Sequence, residues 1–423
     1  MNILIFEDAG TEKLLPITTG RAAYAISCGS YRLVDWLNEL EGNLVGLVRP
    51  HLESIQLLDF PEMQQQLDAN LKWTLVVNAR IAPTVSNVRR LQRLMGQGSG
   101  EETIHVVRCG WAIAAAVVPT RIFVGQEKHR WPGIIEELGS PSDSKITENG
   151  LELFDYPHDV IAQNLKCFPE NLAHRIGVGH YEQPLKNVYV GQGVQLNDPI
   201  VFDSDRGPIV IDDQVRIGPF CYLRGPIYIG PRTWVSEHAS IKDSVSISHT
   251  CKIGGEVEGT IMEAYTNKQH HGFLGHSYLG SWINLGAGTC NSDLKNTYGT
   301  VNMHYPTPEG DNRVSSGLQF VGCVVGDYAK TAINTSIFTG KIIGTASMVY
   351  GFATTNVPSF VNYARTFDKV GNLPADVIVT TQKRMFARRN VKQRPCDIQL
   401  VHDMHRITAF ERPNGLSSKP LSL

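Results

Sequence analysis

Two hydrophobic rhythms divide the chain. Over residues 1 to about 170, short β-rich runs alternate with stretches of helical spacing. Asn2 to Phe6 and Thr74 to Asn78 are runs of the kind buried in a parallel sheet, and His105 to Arg108 is a third, followed by the small apolar run Trp111 to Val118. Between the first two, Tyr31 to Glu41 and Glu62 to Leu71 carry helical spacing. Alternating strands and helices predict a doubly wound, Rossmann-like α/β domain.

From about residue 188 an aliphatic residue recurs near every sixth position, often followed by Gly, Asp or Ser. Ile211-Asp212, Ile217-Gly218, Leu223-Arg224, Ile229-Gly230, Val235-Ser236 and Ile241-Lys242 keep the beat, and it runs on through Ile253-Gly254, Leu274-Gly275, Leu279-Gly280 and Leu285-Gly286. After a gap it resumes at Val325-Gly326, Ile337 and Ile343-Gly344. Each six-residue unit supplies one short strand and one turn, so three units close a triangular coil and stacked coils bury an aliphatic column. A β-sandwich would instead alternate with period two over longer runs. The pattern predicts a left-handed parallel β-helix over 188–362, behind the α/β domain of 1–170.

Lys295 to Gly317, with Pro306, Pro308 and Gly310, breaks the beat and reads as a loop extruded from a coil. Past Phe360 the texture turns helical. Pro374-Ala375-Asp376 resembles a helix start, and Thr380 to Val391 and Ile398 to Ile407 read as helices of a C-terminal tail, 363–423.

Composition narrows the partners. Of the 39 glycines, 22 fall between residues 188 and 360, which suits a turn-rich solenoid. A net charge of −2 gives no general pull toward nucleic acid or anionic membrane, although Lys383-Arg384 and Arg388-Arg389 are local basic clusters. The eight cysteines contain no Cys-x-x-Cys pair, so a zinc ribbon or thioredoxin-like site is not expected. The start, Met1 to Asp8, has neither a basic segment nor a long apolar core, and no run of ~20 apolar residues follows. A cytoplasmic chain without a membrane span is expected.

The densest polar group falls in mid-coil, at Asn267-Lys268-Gln269-His270-His271-Gly272-Phe273-Leu274-Gly275, and six of the 14 histidines lie between His238 and His304. Acyl transfer to an amine needs a base near pH 7, which suits imidazole, and the small residues Gly286-Ala287-Gly288 leave room along the coil surface. A zinc site is the competing use, but His270, His271 and His276 match no familiar ligand spacing. No resident metal is expected.

His270-x-x-Phe273-Leu274-Gly275 followed by Asn284-Leu285-Gly286-Ala287-Gly288-Thr289 resembles the acetyltransferase half of bifunctional glucosamine-1-phosphate acetyltransferase / N-acetylglucosamine-1-phosphate uridylyltransferase and its GlmU-like sugar nucleotidyltransferase relatives. Gly326-Asp327-x-x-Lys330-Thr331 extends the likeness, which is strong over 188–360 and weak over the first 170 residues. The resemblance implies acetyl-CoA as co-substrate, a sugar phosphate or nucleotide sugar as acceptor, and a homotrimer. It places His270 as base, Asn284 on substrate or acetyl group, Ala287, Gly288 and Thr289 along the acetyl-CoA groove with Lys330 and Thr331, and Arg224 on sugar phosphate. Phe273 stands where the family has a tyrosine, and Glu258 stands near a family lysine; Lys252, one 18-residue coil before His270, is a substitute cation.

In the first domain, Ala9-Gly10-Thr11-Glu12-Lys13-Leu14-Leu15-Pro16 resembles the family's triphosphate loop without its second glycine and arginine. Gly10, Lys13 and Arg21 are the nucleotide-binding candidates. The family's metal-holding aspartate after the next strand is replaced here by Asn78-Ala79-Arg80, so Mg²⁺ is expected only if this domain is active. Three functions stay open: acyl transfer, sugar-1-phosphate nucleotidyl transfer, and a non-catalytic scaffold that binds a sugar nucleotide.

Overall fold

The computed structural model describes residues 1–97, 104–138, 144–148 and 150–417. Residues 418–423 of the expected tail lie outside this range. The chain forms two compact units, one of Met1–Leu14, Arg21–Ser27 and Tyr31–Tyr156, the other of Leu15–Gly20, Cys28–Ser30 and Pro157–Leu423.

The first unit is built on a six-stranded sheet. Its strands are β1 (Asn2–Phe6), β2 (Asn43–Leu47), β3 (Trp73–Asn78), β4 (Ile104–Cys109), β5 (Ala112–Pro119) and β6 (Ser144–Glu148), in the order β2-β1-β3-β5-β4-β6. β1 pairs in parallel with β2 and β3, and both are buried along their length in the way a parallel centre requires. The sheet is mixed: the apolar run after β4 returns as β5, antiparallel to both β3 and β4. Helices α1 (Leu33–Asn38), α2 (Glu53–Asp59), α3 (Val85–Gln97) and α4 (Trp131–Glu137) complete the unit.

One helix expected from spacing is absent. Glu62 to Leu71 is irregular because its backbone is spent on the sheet edge: the Gln64 N–H donates to the Leu44 carbonyl at 2.7 Å, and the Asp68 N–H donates to Asn2 Oδ1 at 2.9 Å. Asp68 also closes an Asx turn onto the Asn70 N–H, at 2.9 Å.

The second unit opens with α5 (Pro157–Val178), whose Phe168 and Leu172 pack on Val210 and Tyr228. A parallel β-solenoid follows. Its three faces begin at Val188–Val190, Gln195–Leu196 and Ile200–Asp203, and strands pair in register with their counterparts one coil later, as Ile209 with Ile227 and Ile227 with Val245. The six-residue beat is the inward column: Ile211, Ile217, Leu223, Ile229, Val235, Ile241, Ile253, Leu274, Leu279, Leu285, Val325, Ile337 and Ile343 are all buried in one core. Antiparallel strands extend two of the ladders at their ends, Glu182–Leu185 on Val188–Val190 of the first face and Lys369–Asn372 on Val361–Ala364 of the second.

The loop expected at 295–317 is ordered further than its composition suggested. Asn302–Thr307 and Gly310–Ser315 form an antiparallel hairpin, closed by the Thr307 hydroxyl donating to the Gly310 carbonyl at 2.7 Å. The tail forms α6 (Ala375–Ala387) and α7 (Pro395–Ile407). Among the described residues no helix is long and apolar enough to cross a membrane, and no three His, Cys, Asp or Glu side chains gather to hold a metal ion.

Candidate active site

The polar segment 267–275 lies where one coil is shorter than its neighbours. Lys252 pairs with Asn267, fifteen residues on, rather than with a residue eighteen on. Most of the shortening, two of the three residues, is at the corner between the second and third faces, where only Gly254 and Gly255 separate Ile253 from Glu256; the third is lost before Ile261. In the next coil four residues, Gln269 to Gly272, make the same corner. A Cβ on Gly254 would lie 2.1 Å from the Gln269 carbonyl oxygen, and Gly255 has φ +69°, so only glycine permits this tight corner beneath the wider one. The His270–His271 turn overhangs it, and both imidazoles are exposed.

Lys268 fills the gap. It takes the inward position held by Ile253 in the coil before, is 2 % exposed, and donates Nζ to the Gly254 carbonyl at 3.0 Å and the His270 carbonyl at 2.6 Å. Burial pushes its ammonium down to about 8. The motif contained this residue but its role was illegible, because a lysine between polar neighbours reads as solvated; its position in the inward column betrays it.

The third-face ladder is interrupted beside the same turn. The Phe273 N–H donates to Cys290 Sγ at 3.3 Å, and the Gly275 N–H to Asn291 Oδ1 at 2.8 Å, so side chains replace backbone acceptors there. The following coil brings Gly286, Ala287 and Gly288 to the corner, with the Gly288 N–H donating to the His271 carbonyl at 3.0 Å. His270, Phe273, Ala287 and Gly288 are thereby gathered around one corner. Thr289 and Thr331 reach it from inside: their hydroxyls bond each other at 2.7 Å, and Thr331 Oγ1 accepts from the Gly286 N–H at 3.0 Å. They brace the small-residue turn.

The remaining candidates stand apart from the turn. Asn284 and Lys330 are register partners on the second face, and burial pushes Lys330 down to about 8. Lys252 lies on that face too, beside Asn267 instead of His270. Arg224 is three strands from Gly275 on the third face, through Lys242 and Glu258, roughly 14 Å at ~4.8 Å per strand. Its guanidinium is held by Asp243, with Nε to Oδ1 at 3.1 Å, which raises it above its ordinary value.

A second histidine pair escaped the motif reading. His276 Nδ1 lies 2.8 Å from Asp293 Oδ2, with both side chains largely buried, and the ring tilts against Phe320 at 5.2 Å. Asp293 stands seventeen residues downstream, one coil on, outside the motif segments.

In the first unit, Gly10 lies in the turn Ala9–Leu14, and a Cβ there would sit 2.5 Å from the Arg80 guanidinium. Arg80, 2 % exposed, donates Nε to Asp8 Oδ1 at 2.7 Å, Nη2 to Asp8 Oδ2 at 2.8 Å and Nη1 to Asp155 Oδ1 at 2.9 Å. Burial alone would raise the Asp8 carboxyl, yet Arg80, by hydrogen bond and charge, and the Asn78 amide hold it below the usual carboxylate range. Both Asp8 oxygens are thus committed to a guanidinium over the loop, and the residues present do not fit Mg²⁺. Lys13 is exposed, with Nζ 6.0 Å from the Tyr156 ring centre, and the Arg21 carbonyl accepts from Arg49 Nη2 at 3.0 Å.

The fold and corner define an α/β unit of nucleotidyltransferase type joined to a hexapeptide-repeat solenoid, and comparisons with known proteins bear out the resemblance read from the motifs. Residues 3–174 match the family described as sugar nucleotidyl transferase, the stretch where the motifs gave the weaker likeness. The bifunctional protein GlmU of Acaryochloris marina is 32% identical over 149 residues, 35% of this chain and 26% of that protein. A bifunctional sugar-1-phosphate nucleotidylyltransferase/acetyltransferase of Sulfurisphaera tokodaii is 28% identical over 154 residues, 36% of this chain and 37% of that protein. The matches therefore span only about a quarter to a third of these relatives' length. Among solved structures, a mutant of AntD, an N-acyltransferase from Bacillus cereus in complex with dTDP and coenzyme A, is similar at 12% identity and a TM-score of 0.22, covering 50% of this chain and 100% of that one.

Proposed function

We propose that the solenoid transfers an acetyl group from acetyl-CoA to an amino or hydroxyl group of a sugar phosphate or nucleotide sugar, with His270 as general base. The observation that carries this reading is the overhanging His270–His271 turn beside the small-residue terrace Gly286–Gly288. An exposed imidazole there adjoins a surface along which a thioester can lie. An imidazole nitrogen of His270 takes the proton as the acceptor nitrogen or oxygen forms its bond to the thioester carbonyl carbon; the carbon–sulfur bond then breaks and coenzyme A leaves as the thiol. Lys268 acts through the backbone, fixing the His270 carbonyl and so the turn. The assembly we propose is a homotrimer, the arrangement that the resemblance implies.

The test is acceptor-dependent thiol release by the full chain with acetyl-CoA and a panel of hexosamine phosphates and nucleotide sugars. His270→Ala should lower the rate by roughly 10²–10⁴-fold, the usual worth of a general base. An unchanged rate in that variant, with loss in His276→Ala, would transfer the role to the His276–Asp293 pair.

For the first unit we favour binding over nucleotidyl transfer. The segment Asn78-Ala79-Arg80 lacks the aspartate with which the family holds a metal, and Arg80 is locked between two carboxylates. Magnesium-dependent release of pyrophosphate from a nucleoside triphosphate and a sugar 1-phosphate would refute this.

A further inference from the structure

The second face of the solenoid carries a group of positive charges away from His270, among them Lys252, the cation expected near the substrate. Lys252, Asn267 and Asn284 are consecutive register partners and point outward from adjacent strands about 4.8 Å apart. Helix α6 is fixed against this face by aromatic stacking: Phe386 meets Trp282 at 4.4 Å, and Trp282 lies flat on Tyr265 at 4.1 Å. The stack delivers Arg389, just past the helix end, to the polar row, with the exposed Arg388 beside it in sequence. Arg389 Nη2 donates to Asn267 Oδ1 at 2.5 Å, and Asn267 Nδ2 reaches Asn284 Oδ1 at 3.4 Å, which leaves the Asn284 amide nitrogen directed outward. Lys252 Nζ sits 5.0 Å from the Trp234 ring centre.

Among the described residues, no carboxylate lies within ion-pair distance of Lys252, Arg388 or Arg389. Burial first, then the charges of Arg389 and Arg388, lower the Lys252 ammonium from its ordinary value. Burial also lowers Arg389, and Arg388 adds to it. Arginines at a helix end commonly satisfy the helix's own last carbonyls. Here the Arg389 guanidinium is turned to the solenoid instead, and it brings its charge toward a lysine. Three cations held together without an acid repel one another unless an anion joins them.

We propose that Lys252, Arg388 and Arg389, with the Asn267 and Asn284 amides, form a binding site for the phosphate group of a phosphorylated ligand. Guanidinium forks and an ammonium suit a tetrahedral oxyanion, and the amides add neutral donors and orientation. Asn267 is three residues from His270 on the same coil, so a phosphate here would flank the proposed reaction centre. The site does not depend on His270 being a base. The phosphate could belong to the acyl donor or to the acceptor sugar, and the chemistry that holds it is the same.

Calorimetry on the full chain at low salt, with inorganic pyrophosphate as the probe, tests this. Wild type should bind; Lys252→Gln and Arg389→Gln should each weaken binding roughly tenfold, the worth of one charge-assisted contact, while Arg389→Lys loses less. Unchanged circular dichroism and melting would show that the variants are folded. Displacement of the probe by coenzyme A alone assigns the phosphate to the donor, and displacement by glucosamine 1-phosphate alone assigns it to the acceptor; either supports the site. No pyrophosphate binding, or equal affinity in all four proteins, overturns it. Because no turnover is read, that failure is separate from a failure of acyl transfer.

Discussion

Replacing Lys268 by methionine keeps most of the side-chain volume and removes the ammonium. Two carbonyls then lose their donor, Gly254 at 3.0 Å and His270 at 2.6 Å, each costing about 1–3 kcal/mol. Opposing this, the fall of the Lys268 value from 10.5 to about 8 means that holding the charged form buried costs about 3 kcal/mol at neutral pH. At pH 7 the two effects largely offset, so the variant should lie within about 2 kcal/mol of wild type. Raising the pH separates them. The folded value is depressed, so between about 8 and 10.5 the unfolded chain binds more protons and wild-type stability rises with pH. The neutral amine still donates to both carbonyls. From pH 7 to ~9.5 wild type should regain about 2 kcal/mol that the methionine variant cannot. Urea unfolding of both proteins, followed by tryptophan fluorescence at the two pH values, reads the change. Lys330, also pushed to about 8, is present in both and cancels in the difference. A difference between the two proteins that stays constant with pH would refute the buried, strained ammonium.

Further predictions concern the turn and the first unit. Gly272 has φ +126°, and a Cβ there would lie 2.2 Å from the Thr289 carbonyl oxygen, so Gly272→Ala should destabilise by about 2 kcal/mol or more and depress turnover, read by melting and rate together. Arg80→Gln strips Asp8 of its countercharge and should cost about 3 kcal/mol, visible as a lower urea midpoint; an unaffected midpoint would mean the Asp8–Arg80 pair is dispensable. His276→Gln should leave acetyl-CoA affinity unchanged, measured by calorimetry, if the His276–Asp293 pair only braces its corner.

The solenoid was legible because its inward column is a strict recurrence: Ile229, Val235 and Ile241 each mark a face, and burial of all three follows from spacing alone. The tail helices were legible for the same reason, with Pro374 setting the start of α6. What failed was local. Glu62 to Leu71 has helical spacing, yet Asp68 and Gln64 spend their backbone on β1 and β2, a tertiary demand no window contains. Near the candidate site, the motif marked His270 and the Gly286–Gly288 terrace. It did not show the two-residue Gly254–Gly255 corner, which removes two of the three residues by which that coil falls short of eighteen and so helps to shift Lys252 from His270 to Asn267. Lys268 and the His276–Asp293 pair were hidden because their meaning lies in stacking between coils. The segment Asn78-Ala79-Arg80 was visible as lacking an aspartate, but the closure of the Gly10 turn by Arg80 is a long-range contact that no window contains.

His270 is the residue on which acyl transfer most directly depends, and the rate of thiol release from acetyl-CoA in the presence of amino-sugar phosphates tests it, with wild type and His270→Ala compared at matched acetyl-CoA saturation. Wild type should show acceptor-dependent release, the variant a loss of roughly 10²-fold or more, and both the same acetyl-CoA affinity. Equal rates in the two proteins, or no acetyl-CoA binding by the full chain, would contradict it.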